Sequence, residues 1–269
     1  MMLTCPDPVE IVTPKIRADA TWPRTIERFW DLLSHHFDFR QEMSRGFHVH
    51  VSLASGFYTL DQLRCMAKAV TFWGSCATRC APPSRQDVVR DFCESNVVDP
   101  DVPVNQFFME HGPLRFLQHA YAKIDEANRD EVIRFVCPDK HRAWNFLPAR
   151  EGGPGSIEHR RPPGVTDAVK SKHWIAFTLA FVEMALAFNP SSLAARYRCS
   201  VDLVKIPFPE FALTIVECAR RIGVDDCLDA TLKQTDNPKR LHITRLDKAK
   251  MAWLRRHFDR NYHYSPQWH

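Results

Sequence analysis

The sequence predicts an α+β fold in which a small antiparallel β-sheet carries helices on one face. Three observations predict it. The segment Phe47-His48-Val49-His50-Val51 alternates apolar and polar residues, as a half-buried strand does. A second strand, Ile157-Glu158-His159-Arg160, follows a glycine-rich turn, Gly152-Gly153-Pro154-Gly155, which predicts antiparallel pairing with the block from Asp139 to Pro148. Beyond it, Trp174 to Phe188 is an apolar run of fifteen residues containing Glu183, too short and too polar to span a bilayer and suited to a buried helix beneath the sheet.

The elements follow in order. Val9-Glu10-Ile11-Val12-Thr13-Pro14 reads as a short strand ended by proline, with Glu10 and Val12 on one face. From Trp22 to His36, Ile26, Phe29, Trp30 and Leu33 recur at helical spacing, and Pro23 sits in the first turn, where its missing N–H costs little. His35-His36 at the end of this helix suits a cap on the helix dipole better than a metal site. Thr59-Leu60-Asp61-Gln62 is a capping box opening a helix with Leu63, Met66, Ala67 and Val70 on one side. Residues 81–113 contain Pro82-Pro83, Asp99-Pro100-Asp101 and Pro103 and predict a surface loop or lid. Two shorter helices are expected over 114–124 and 129–136. Thr166 is placed to cap the long helix that stops at Phe188-Asn189-Pro190, and residues 191–269 read as a helical, more charged extension to a core spanning 1–190, with an amphipathic stretch over 246–256.

Composition excludes several classes. With 45% hydrophobic and 25% charged residues among 269, the chain is an ordinary globular protein with one main core. A net charge of +4 and a pI near 8.6 favour anionic ligands, yet no dense basic stripe or motif indicates nucleic-acid binding. Nine cysteines without a C-x-x-C pair point to reduced thiols, and Cys76 and Cys80, four apart, read as small core residues before a metal pair. The N-terminal segment lacks the basic start and apolar run of a signal peptide, so a cytoplasmic protein without membrane partners is expected.

Alternation puts His48 and His50 on one face of their strand and gives Glu158 and Arg160 a shared face of theirs. If the strands are neighbours, two imidazoles, a carboxylate and a guanidinium converge, a set suited to a divalent ion and a polyphosphate. A half-wet strand bearing two polar residues is the competing reading.

The order of these pieces, a Val-Glu-Ile-Val-Thr-Pro strand, a Trp-bearing helix, Gly46-Phe47-His48-Val49-His50-Val51-Ser52, then Ser156-Ile157-Glu158-His159-Arg160 and a Trp-containing apolar helix, resembles the amidoligase family widespread in fungi. That family resembles a distant branch of the glutamine synthetase and glutamate–cysteine ligase superfamily. The resemblance covers residues 9–188 and implies a glutamine synthetase-like core whose concave sheet face holds ATP with Mg2+ or Mn2+. There a small-molecule carboxylate is phosphorylated and an amine displaces the phosphate. It implies His48, Glu158 and Glu10 as metal ligands, His50, Arg160 and Asn145 as nucleotide contacts, and Arg160, Arg142 and Lys140 as catalytic groups; a solvated hairpin competes for residues 140–145.

Two departures stand out. Family members carry a Glu-x-Glu strand upstream of the segment matching Glu10, and none precedes it here. His159 stands where the family has an aromatic residue, and its place on the opposite face from Glu158 predicts a neutral, hydrogen-bonded core histidine. A catalytically silent binding protein on the same scaffold is therefore the alternative, and metal-dependent hydrolysis on a barrel, which needs alternating parallel strands and helices, is a distant third.

Overall fold

The computed structural model describes residues 10–39, 45–82, 85–86, 93–96, 104–189, 208–229 and 232, the side chains of 104–114 excepted. Its centre is a three-stranded antiparallel sheet in the order β1 (Val49–Ser52), β3 (Ser156–His159), β2 (Trp144–Asn145). The register sets His50 opposite Glu158 and Val49 opposite His159, while Asn145 faces Glu158 from the other side. Both predicted strand patterns are present, and β3 lies between its two partners.

Trp144 fixes the hydrogen-bond phase of the sheet. Its amide is accepted by the Asn96 side-chain carbonyl at 2.8 Å and its carbonyl takes the Asn96 amide at 2.5 Å, so its main chain points away from β3. Arg160 N donates to Ala143 O at 2.8 Å, which makes Trp144 and His159 a non-hydrogen-bonded pair. His159 and Ile157 consequently turn their main chains toward Val49 and Val51, and His50 and Ser52 turn theirs to the outer edge of β1. Among the described residues nothing pairs with that edge.

The helices are α1 (Trp22–Ser34), α2 (Leu60–Cys80), α3 (Val104–Glu126), α4 (Arg129–Val136), α5 (Ala168–Leu186) and α6 (Phe208–Arg221). Thr59 opens α2 through the predicted capping box, its hydroxyl accepting from Gln62 N while Gln62 Oε1 accepts from Thr59 N. Asn128 and Glu131 form a second box at α4. The core joins the inner sheet face to α2, α5 and α6, with Trp144, Ile157, Phe177, Phe181 and Phe211 buried. Each such side chain contributes about 1.5–3 kcal/mol by leaving water. Trp144 lies between His159 and Phe181, its ring centroid 4.2 and 4.4 Å from theirs. α1 is held to α5 by Trp30 Nε1 donating to Ser171 Oγ at 2.7 Å and by the Glu27–Lys172 ion pair.

Four expectations are corrected. Residues 10–18 form no strand: they are exposed throughout, with Ile11 48% and Val12 78% accessible, because no neighbouring strand among the described residues supplies a hydrogen-bond ladder. The helix beginning at Trp22 ends at Ser34, two residues short of His36, with His35 at its cap. Residues 104–113, read as loop, belong to α3, which runs through Gly112 and Pro113; burial of Phe116, Ala120 and Ile124 against neighbouring helices outweighs local breakers. The α5 cap is Asp167, whose Oδ1 accepts from Lys170 N at 2.8 Å, and not Thr166. Cys76 is buried in α2, as a core residue should be. Among the described residues no helix is long and apolar enough to cross a membrane. The amphipathic stretch over 246–256 and most of the predicted loop over 81–103 lie outside the described residues.

Candidate functional site

The site is built around one carboxylate. Glu158 sits at the middle of the central strand, its side chain 4% exposed, on the sheet face away from the Trp144 core. Oε1 receives Arg160 Nη1 at 2.7 Å and His48 Nδ1 at 3.0 Å, with His50 Nε2 at 3.5 Å. Oε2 receives Asn145 Nδ2 at 2.7 Å. Burial pushes the Glu158 carboxyl up, but hydrogen bonds from His48, His50 and Asn145, with the Arg160 charge, outweigh it and hold the group far below the usual carboxylate range. It is an anion at every physiological pH.

Each donor is positioned by local structure. The β1 register delivers His50 opposite Glu158, and His50 Nδ1 lies 3.2 Å from the Ser156 hydroxyl. Asn145 is oriented by its carbonyl oxygen, which accepts from Leu147 N at 3.0 Å, leaving its amide for Glu158; the Cys137 thiol lies 3.5 Å from the same oxygen and 3.0 Å from Asp139 O, its proton shared between them. Burial pushes that thiol up to about 11, so it stays protonated and able to donate. Gly46 allows the chain to pass close to the site: a Cβ there would lie 3.0 Å from His48 Nε2 and 3.1 Å from Arg85 Nη2.

His48 and His50 are open to solvent, with side chains 32% and 51% exposed, and Arg160 is partly covered at 14%. The result is a buried negative charge beneath solvent-facing cationic or polar groups. Such a rim can meet phosphate oxygens, since a guanidinium and imidazoles are good donors to them. It is a poor cage for a hard divalent ion, which takes six or more oxygen ligands and here finds one carboxylate with both oxygens engaged. No group of three or more His, Cys, Asp or Glu side chains among the described residues could hold a metal ion. The described residues therefore do not by themselves fit the Mg2+ or Mn2+ that the sequence resemblance implied.

The remaining sequence candidates fall elsewhere. Glu10 is exposed in an irregular segment and makes no described contact with Glu158. Arg142 is buried and committed to acids, 2.9 Å from Glu94 and 2.8 Å from Asp139, and donates to Ser95 O. Lys140 is exposed in the turn before β2. Its neighbour Asp139 has a carboxyl held low because Arg142 and the His141 amide outweigh burial, which marks a structural ion pair at the mouth of the hairpin.

Sequence reading missed Ser156, Asn96 and Arg85. Ser156 shares a face with Glu158 by alternation and was within reach of the same argument. Asn96 and Arg85 fall in an irregular stretch with no periodic signal.

His159 is the core residue its position predicted. It is 1% exposed and its Nδ1 lies 2.9 Å from Thr178 Oγ1. Thr178 donates its own proton to Trp174 O at 2.7 Å, so its oxygen accepts and His159 carries its proton on Nδ1. Burial, with help from the Arg161 and His48 charges and against that of Glu158, pulls the imidazole down to about 3.

A family model described as "Putative amidoligase enzyme" matches residues 5–182. No curated protein sequence and no solved structure matches the chain.

Proposed function

Because the chain belongs to the amidoligase enzyme family, matched over residues 5–182 of 269, we propose that it is an ATP-dependent ligase joining a small-molecule carboxylate to an amine. The observation that carries this reading is the Glu158 cluster: two open imidazoles and a guanidinium, ordered by one buried carboxylate on an exposed sheet face. In the proposed reaction the substrate carboxylate attacks the terminal phosphorus of ATP. ADP leaves, and the amine then displaces phosphate from the acyl-phosphate to form the amide.

The chain's own residues would act through charge and alignment, which dominate phosphoryl transfer. Arg160 and His50 would face phosphate oxygens. Glu158 and Asn145 would hold those two groups and His48 in place, so that little ordering remains to be done when nucleotide arrives. Arg142, tied to Glu94 and Asp139, would act at a distance by bracing the β2 hairpin; Lys140 would be free to reach a bound anion. No step is assigned to a metal, since the described residues do not form a site for one.

The test is calorimetric titration with a non-hydrolysable ATP analogue, with and without magnesium, on the wild type and on Glu158→Gln and Arg160→Met. Saturable binding weakened at least tenfold in both variants supports the reading. A folded wild type that binds no nucleotide in either condition sinks it, and leaves a silent member of the family acting through binding.

A further inference from the structure

Beside the helix-facing side of β3 lie two buried guanidinium groups, Arg161 and Arg85, that no carboxylate among the described residues balances. Arg161 is 2% exposed, and of its donor atoms only Nη1 is engaged, giving to Arg85 O at 3.0 Å; Nε and Nη2 have no acceptor. Arg85 is 4% exposed and donates to the Arg45 carbonyl. No Asp or Glu pairs with either guanidinium among the described residues, and the groups whose charge bears on Arg161 are Cys93 and Arg85. Arg161 also lines a cavity of about 10 Å3, together with Thr78, Ser95, Asn96, Trp144 and His159. That is room for one water-sized sphere.

An unpaired guanidinium in such a place is strongly disfavoured, because burial strips its hydration without supplying a counter-charge. Three occupants or partners could answer it. A water would satisfy the two idle N–H groups but leave the charge. A deprotonated Cys93, 3.9 Å from Arg85 Nη1 and 0% exposed, would meet the charge but not the idle donors of Arg161. A small anion answers both.

We propose that the cavity between β3 and α2 binds one monoatomic anion of halide class, held by Arg161 Nε and Nη2. The site is on the opposite sheet face from Glu158, as strand alternation requires of residues 158 and 161. It does not depend on the ligase reading. A space of this size suits a single chloride or bromide better than phosphate or sulfate.

The experiment is diffraction from crystals of the full chain grown or soaked in bromide, with data at the bromine edge. An anomalous peak within hydrogen-bond reach of Arg161 Nη2 and Nε is the expected result. Water density without anomalous signal, or a peak that persists in Arg161→Met, overturns the proposal. Thermal unfolding gives a second reading that survives if Arg161→Met does not fold. At equal ionic strength the wild type should melt at least about 2 °C higher in chloride than in gluconate. Equal melting in the two salts overturns the proposal, as does a thiolate absorbance near 240 nm that Cys93→Ser abolishes, since the cysteine would then supply the charge.

Discussion

The two faces of β3 treat charge in opposite ways. On the open face, Glu158 is ionised and every one of its neighbours donates to it, so burial is outweighed by partners. One residue later, on the helix face, His159 is sealed between Trp144 and α5 and is kept neutral, so burial wins. Two residues of nearly equal exposure, 3% and 1%, thus give a carboxylate held as an anion and an imidazole held neutral down to about pH 3. What differs is the number of donors within 3 Å, and alternation along four residues is enough to arrange it.

The sharpest way to break this comparison is to remove the open-face anion. Glu158→Ala deletes the acceptor shared by Arg160, His48, His50 and Asn145, and should cost about 3 kcal/mol in urea unfolding at pH 7. Glu158→Gln, which keeps one carbonyl acceptor, should cost clearly less. A loss below about 1 kcal/mol for the alanine variant would mean that the cluster stabilises little and serves only a ligand.

The helix face is tested by pH. The folded His159 binds its proton only near pH 3, against an ordinary value of 6.5, so the unfolded chain takes up more protons between those limits. Stability from this residue is complete above about pH 6.5 and declines as pH falls toward 3. His159→Phe should remove that decline, raising stability at pH 5 by about 2 kcal/mol relative to the change seen at pH 8. A shallower decline will remain from His173, which burial lowers to about 4. The open face behaves differently: the depressed Glu158 contributes fully above about pH 4.3 and loses its contribution only below that. Coincident acid transitions in wild type and His159→Phe would contradict the assignment.

The smallest effect is expected at Lys140. Exposed in its turn, it should change stability by less than about 0.5 kcal/mol on replacement by alanine. If nucleotide binding nonetheless weakens in Lys140→Ala, the hairpin tip belongs to the site; if it does not, the site ends at Asn145.

Much of this contrast was legible in the chain. Period-two alternation predicted that His48 shares a face with His50, that Glu158 shares one with Arg160 and that His159 turns away, because a strand permits only two directions; the β1–β3 register is what brings the two pairs together. The capping box at Thr59 and the bounds of α4 were readable because local hydrogen bonds decide them. Arg142, three residues from Asn145, is engaged by Glu94 and Asp139, pairings that its own segment does not announce. Glu10 could not be judged from its own segment, since a strand exists only if another strand offers it a ladder. α3 was obscured by Gly112 and Pro113, where packing overrides propensity. Arg85, Asn96 and the buried charge at Arg161 come from tertiary proximity alone.

The phase of the sheet has a consequence for isotope exchange. Val49 and Val51 give their amides to β3, and His50 and Ser52 turn theirs to the outer edge, where the described residues offer no partner. Proton–deuterium exchange along β1 should therefore alternate residue by residue, slow at 49 and 51 and fast at 50 and 52. Within one short strand, a spectrum of labelled protein would show slow and fast amides interleaved like the teeth of a comb.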